Sequence, residues 1–345
     1  MKKSLSFITI FLILLLSNTF LKAQQEAQFT HYFQNFNAYN PGFAGVKNSI
    51  CATALYRNQW LGFSEVVNGK EYNVNPRTML LAVDAYIKPL HGGLNLIVYN
   101  DKLGFENNTG VKIGYSYNFY IRDYVLGVGF NVHFLDKGLD FSLLNPLEDN
   151  DPLLIQRSNQ SDMVIDADLG AFLLKPNQFW VGLSSLNLIQ SSAELSDVSN
   201  IKLKRHYFIT GGYIFSLNND QFEIRPSALI KTDFVSAQYD INVQMYYQGM
   251  VWAGIGYRVQ DAIMLNVGAQ PFANSTNHSL APLSIGYPYV LTTSAIAGHR
   301  VSSGSLEVLI DYFYVLESEE YRQGKRNLSF SPDSTPMYDY DAYSI

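Results

Sequence analysis

One cysteine is all that the 345 residues contain. Cys51 has no intramolecular partner, so a disulfide framework and a cysteine-ligated zinc site are both excluded. Charge is scarce too. Asp, Glu, Lys and Arg make up 16% of the chain, against ~25% in an average soluble domain. There is no basic excess: 24 basic residues face 30 acidic ones, a formal charge of −6. That argues against a nucleic-acid partner, which needs a basic footprint. The six histidines, His31, His91, His133, His206, His278 and His299, are scattered, and none makes a ligand-spaced pair, so no resident metal is expected. No Gly-x-Ser-x-Gly elbow or phosphate loop appears. Gly127-x-Gly129 lacks the third glycine of a dinucleotide fingerprint. No enzyme chemistry and no cofactor are therefore expected. After Ala23 no apolar run is long enough for a transmembrane helix.

Apolar residues, by contrast, reach 47%, with 24 Tyr, 22 Phe and 24 Gly. Disorder is not expected from such a composition. The chain opens with Met1-Lys2-Lys3 and an apolar core from Phe7 to Leu16, followed by Ala23 and Gln24-Gln25. This is the pattern of a secretory signal peptide over 1–23, cut near Ala23. Removing Lys2, Lys3 and Lys22 leaves 21 basic residues against 30 acidic, a formal charge near −9.

The mature chain alternates with period two. Tyr124, Leu126, Val128, Phe130, Val132 and Phe134 interleave with Gly127, Gly129, Asn131 and His133. Similar alternation marks fourteen segments: 49–57, 77–88, 92–101, 107–120, 123–136, 163–174, 178–188, 205–216, 221–232, 236–248, 250–259, 261–271, 279–290 and 303–315. Each pairs an apolar face with a small or polar one, over a length of roughly ten residues that crosses a bilayer when tilted. The expectation is an all-β fold: a transmembrane antiparallel up-and-down β-barrel of about 14 strands over 49–316, in the outer membrane of a Gram-negative bacterium. A soluble β-sandwich is the weaker alternative. Tyr120, Tyr124, Tyr213, Tyr257 and Tyr287 suit an interfacial girdle.

Connection lengths give an independent check. With both termini periplasmic, odd-numbered connections face outward, and outer loops of such barrels are the long ones. The three longest, about 58–76, 137–162 and 189–204, are all odd. Even connections such as Arg122-Asp123 and Lys175-Pro176-Asn177-Gln178 are compact and rich in turn residues.

Lys112, Asp166, Asp168, Glu223, Arg225, Asp240, Arg258 and Glu307, with Lys231 and Asp311, fall on the non-lipid face. They are expected to line the lumen, either as a solvated or ion-paired interior or as a selectivity lining. The run Glu148-Asp149-Asn150-Asp151 lacks the spacing and central glycine of a calcium loop. It is read as a solvated loop, with surface calcium left open.

Several motifs resemble one family. The mature start is Gln24-Gln25-Glu26-Ala27-Gln28-Phe29-Thr30-His31-Tyr32-Phe33, followed by Asn40-Pro41-Gly42-Phe43-Ala44-Gly45. Tyr56-Arg57-Asn58-Gln59-Trp60-Leu61-Gly62, Asn100-Asp101-Lys102-Leu103-Gly104 and Gly304-Ser305-Leu306-Glu307 with Asp311-Tyr312-Phe313 follow in order. Together they resemble the PorP/SprF family of the type IX secretion system. The resemblance implies an outer-membrane barrel that assists secretion or surface attachment of a particular cargo, such as a gliding adhesin. Its implied partners are the cargo's C-terminal sorting domain and the translocon or periplasmic ring components, besides outer-membrane lipid. A porin or small-solute channel is the alternative.

Read from the residues, Asn40-Pro41-Gly42 is a tight turn. Residues 24–48 carry too many amides for a lipid-facing strand and are expected to form a periplasmic or lumenal plug. Trp60, Leu61 and Phe63 are candidate partner contacts or interfacial anchors, and Asn40, Pro41 and Gly42 are further partner candidates. Residues 317–345, polar and punctuated by proline, form a tail expected to be disordered.

Overall fold

The computed structural model describes residues 27–67, 69–140, 159–196, 199–218, 221–272, 283–293 and 304–315. The expected signal peptide over 1–23, the acidic run at 148–151 and the tail at 317–345 lie outside them.

Among the described residues nineteen strands follow two short 3₁₀ turns, Phe36–Ala38 and Pro41–Phe43. The first nine are β1 (Ser49–Asn58), β2 (Ser64–Val67), β3 (Lys70–Asn73), β4 (Arg77–Ile87), β5 (Gly92–Leu103), β6 (Glu106–Ile121), β7 (Tyr124–Asp140), β8 (Asn159–Lys175) and β9 (Phe179–Leu186). Then come β10 (Ser192–Ser196), β11 (Ser199–Lys202), β12 (His206–Tyr213), β13 (Phe215–Leu217), β14 (Phe222–Thr232) and β15 (Ala237–Tyr247). The last four are β16 (Val251–Arg258), β17 (Ala262–Ala269), β18 (Leu283–Thr292) and β19 (Ser305–Val315).

The main sheet closes on itself as an antiparallel barrel, since β1 pairs with both β4 and β19, from Ser49↔Val315 to Asn58↔Leu306. β12 and β13 are one stave interrupted at Ile214, because both pair with β14. The barrel thus has fourteen staves. Closure leaves no open edge, the condition for a sheet to cross a membrane. The β2–β3 and β10–β11 hairpins stand outside the ring, within the first and seventh connections. Sequence alternation did not reveal these hairpins, because their residues are largely polar. Among the described residues no helix is long and apolar enough to cross a membrane.

Strand order defines two ends. Residues 49 and 315 lie at the turn end, which also carries the short 122–123 and 176–178 connections. The connections 59–76 and 187–205 lie at the opposite, loop end, where β7 also ends and β8 begins. Along each stave, outward residues are apolar and exposed, as a lipid-facing band requires: Leu94, Leu96 and Val98 on β5, Ile241, Val243 and Met245 on β15. The band stops where Asn100, Thr109 and Asp136 pair side by side facing out, so β5 to β8 rise past the lipid on the loop side. Tyr120 departs from the girdle expectation. It faces inward, and its hydroxyl donates to Asn48 Oδ1 at 2.5 Å.

The hydrophobic core is in the lumen. Phe29, Tyr32, Phe33, Phe36, Tyr39, Phe43 and Val46 come from the segment before β1 and pack against wall residues Leu55, Leu80, Ile97, Phe172, Trp180, Phe208, Leu229 and Leu309. Each ring taken out of water contributes about 1.5–3 kcal/mol. A smaller cluster joins Ala193, Leu195 and Leu203 of the seventh connection to Leu135 and Val164, which folds β10 against the upper wall of β7 and β8.

Candidate functional site

Residues 27–48 run along the inside of the barrel. Ala27 and Phe29 line a cavity with Asp101, Asn108, Lys137 and Leu203, near the loop end. Asn48 meets Tyr120 at the turn end. Amide-rich sequence keeps this segment from forming a strand, and its backbone turns instead, over 30–34 and then in the two 3₁₀ turns. Pro41 sits at the first position of its 3₁₀ turn, where a missing N–H costs nothing, and Asn40 Oδ1 caps that turn by accepting from Gly42 N at 2.9 Å.

The turn lies on a floor of glycines. A Cβ at Gly42 would come within 2.8 Å of the carbonyl oxygens of Gly127 and Gly170. Side chains at Gly93, Gly127, Gly129 or Gly170 would collide with the backbone of residues 41–45 or with the side chain of Asn40. Polar contacts complete this seat. Asn40 Nδ2 donates to the carbonyls of Ala171 (2.9 Å) and Leu183 (3.2 Å), and Ser184 Oγ donates to the carbonyl of Tyr39. Asp84 accepts from Asn37 Nδ2 at 2.6 Å and from Gly45 N at 2.9 Å.

A second carboxylate holds the other half. Glu307 accepts from Thr30 N (2.8 Å), His31 N (2.9 Å) and His31 Nδ1 (3.1 Å), with Arg57 3.9 Å away. Tyr32 shares a hydrogen bond of 3.1 Å with Ser227.

The candidate lumen charges all face inward, and the fold brings six of them together in three pairs. Arg258 donates through Nε and Nη2 to both oxygens of Asp240, at 2.7 to 3.0 Å. Lys112 lies 2.9 Å from Asp168, and Arg225 Nε donates to Glu223 at 2.8 Å. Arg225 also stacks 3.8 Å over the ring of Tyr246. Asp166 and Asp168 serve the seventh connection. Asp166 accepts from the N–H groups of Ile189 and Ser191, and Asp168 from that of Asn187. These carboxylates fasten an outer loop into the barrel mouth. Burial with a partner is the arrangement that makes such charges tolerable.

The six candidate partner contacts separate. Asn40, Pro41 and Gly42 are buried and their polar groups are spent on the turn and the wall, so burial corrects the expectation that they meet a partner. Trp60, Leu61 and Phe63 sit at the loop end and are half-buried. Trp60 N donates to Ser305 Oγ and Leu61 N to the carbonyl of Gly304, which ties this turn to the start of β19. The rings of Trp60 and Phe63 pack edge to face at 6.0 Å. What the sequence reading missed is the glycine floor. Its signal was the inward series Gly93, Gly127, Gly129 and Gly170, which marks close backbone approach inside strands.

The family model for the type IX secretion system membrane protein PorP/SprF matches residues 21–312. The chain belongs to the PorP/SprF family. It is an outer-membrane protein of that secretion system's membrane family. Among curated proteins none matches. Three solved structures are similar at low identity. The outer membrane protein Omp33 of Acinetobacter baumannii is 7% identical over 78% of this chain and 100% of its own, with a TM-score of 0.41. A FadL homologue of Pseudomonas aeruginosa is 11% identical over 81% and 93%, at 0.45. The KdgM porin is 11% identical over 75% and 98%, at 0.34.

Proposed function

We propose that this PorP/SprF barrel is a non-enzymatic accessory that assists secretion and surface attachment of one type IX cargo by binding its C-terminal sorting domain. Family membership across residues 21–312 carries the reading. The filled lumen supports it, because aromatic rings and paired charges occupy the path a diffusing solute would take. Contacts with cargo come from the loop end, through the turn of Trp60, Leu61 and Phe63 and the connection 187–205. A gliding adhesin is one cargo of the expected kind. The chain reaches the outer membrane after cleavage near Ala23.

The test is a gentle detergent pull-down of the tagged barrel from native outer membranes, read by mass spectrometry. Recovery of one large secreted protein with a C-terminal sorting domain is the expected result. A barrel recovered alone, from cells that make the secretion apparatus, would overturn the accessory role in favour of a channel.

A further inference from the structure

The lumenal segment is held in two unlike ways. From Phe36 to Asn48 it is seated. Phe36 packs on Phe172 and Trp180 at 5.1 and 5.8 Å, and Phe43 packs on Phe172 at 5.1 Å. The backbone of residues 41–45 lies against glycine backbone, Asn40 has both side-chain groups satisfied and Asn48 Oδ1 accepts from Tyr120, while Asn37 Oδ1 alone is buried without a partner. From Ala27 to Asn35 it is as deeply buried, and Phe29 N donates to the Tyr39 hydroxyl, but more of its polar atoms go unpaired. Thr30 Oγ1, His31 Nε2, Gln34 Oε1 and both side-chain atoms of Asn35 are buried with no hydrogen-bond partner. A cavity of about 60 Å³, room for a few waters, lies between Ala27 and Phe29 of this stretch and Ala38 and Tyr39 of the other. One wall of it is apolar, with Leu80, Ile97 and Leu135, and another is polar, with Asp101, Asn108 and Lys137. Asn108 Oδ1 is likewise buried and unpartnered.

What holds the outer stretch is recognition of a peptide rather than fusion with the wall. The carboxylate of Glu307 takes two consecutive backbone N–H groups, those of Thr30 and His31. Two consecutive N–H groups converge on one acceptor where the chain turns, and residues 30–34 form such a turn, with Gln34 N and Asn35 N donating to the carbonyl of His31. The ring of His31 lies against Gly286, where a Cβ would be 2.6 Å from Nε2, so the wall has been cleared for a ring there. Ser227 receives the hydroxyl of Tyr32.

We propose that the loop-end half of the lumen is a peptide-binding site for a turned, aromatic-bearing chain, which the protein keeps filled with its own residues 27–35. These residues leave and return as a unit, while residues 36–48 remain seated on the glycine floor. The proposal stands independently of the cargo reading, because it is tested on the purified barrel alone.

Two measurements test it. In the full mature chain, Thr30→Cys is probed with a membrane-impermeant maleimide, with Glu307 intact or replaced by Ala or Gln. Cys51 is buried and serves as the internal control. Labelling is expected to be slow with Glu307 and faster with Glu307→Ala, with Glu307→Gln between them. Equal protection in all three overturns the proposal. In the second, residues 27–35 are deleted and single-channel conductance is recorded in planar bilayers. Conductance is expected to rise, and the acetylated, amidated peptide of residues 27–35 is expected to close it again. With Glu307→Ala the peptide is expected to bind roughly tenfold more weakly, the ratio that about 1.4 kcal/mol produces. A folded deletion variant, identified by its heat-modifiable gel migration, that conducts no better than the parent or ignores the peptide overturns the site. If the deletion prevents folding, the labelling of the full chain decides.

Discussion

Two opposite walls of this barrel meet the lumenal segment by different means. On β5 to β9 the inner face is stripped to glycine at positions 93, 127, 129, 170 and 182, and backbone rests against the 40–45 turn. On β14 to β18 the inner face keeps long polar side chains: Arg225, Lys231, Asp240, Asn242, Gln244, Arg258 and Asn266. They pair among themselves, as in Arg258 with Asp240 and Asn266 with Asn242. The walls also differ in height. β7 and β8 have 17 residues each, whereas β16 and β17 have 8 each. The contrast teaches that one lumen uses two currencies of contact. Glycine gives shape without polarity and tolerates no added atom. Paired charge tolerates distance but not the loss of a partner.

The sharpest way to break the polar wall is Arg258→Met. It leaves the Asp240 carboxylate buried and alone, and the expected loss is about 3–5 kcal/mol. Urea unfolding in detergent, followed by tryptophan fluorescence, measures it. Adding Asp240→Leu is expected to restore much of the loss, because the unpaired charge is gone.

The glycine wall is broken by Gly127→Ala, with an expected cost of about 1–3 kcal/mol from overpacking against the Gly42 carbonyl. Gly211→Ala is its control. Its Cβ would meet nothing closer than 3.5 Å. A thermal shift confined to the first variant is expected, and equal shifts would mean that the floor is not a tight seat.

Tyr32→Phe removes one hydrogen bond between segment and polar wall. The expected loss is about 0.5–1.5 kcal/mol in the same unfolding assay.

The smallest effect lies outside both walls, at Asp233 in the 233–236 turn. Its slight burial opposes ionisation, but the N–H groups of Ser236 and Val235 and the Ser236 hydroxyl outweigh it and hold the carboxyl below its usual range. A depressed carboxyl stabilises the turn at neutral pH. That contribution is lost as pH falls through its folded value. Carbon-13 NMR of the carboxyl should show a midpoint below that of an exposed aspartate, and an ordinary midpoint would mean that the turn is open in solution.

Much of the barrel was legible because lipid imposes a simple rule. Outward residues must be apolar and successive side chains alternate, so the fourteen staves appear as fourteen alternating segments. The rule fails where lipid ends. The alternating run placed a strand over 123–136, yet β7 continues to Asp140, because outward Asp136 and Asp140 stand above the lipid and follow no apolar pattern. For the same reason the β10–β11 hairpin left no signal. In the candidate site, inward charges such as Lys112 and Asp168 were legible as lumenal. That they pair across β6 and β8 follows from barrel curvature and side-chain reach, which no local pattern records.

The sequence by itself determined the fold class, the staves, the face of each charge and the family resemblance. These follow from side-chain period and lipid solvation, both local properties. Only the tertiary structure decided that residues 27–48 supply the core of the barrel, that Glu307 and Asp84 grip the segment, and that Asn40, Pro41 and Gly42 face a glycine floor instead of a partner. Those contacts join residues up to 277 positions apart. They exist only once the ring closes and brings all its walls to bear on one enclosed chain.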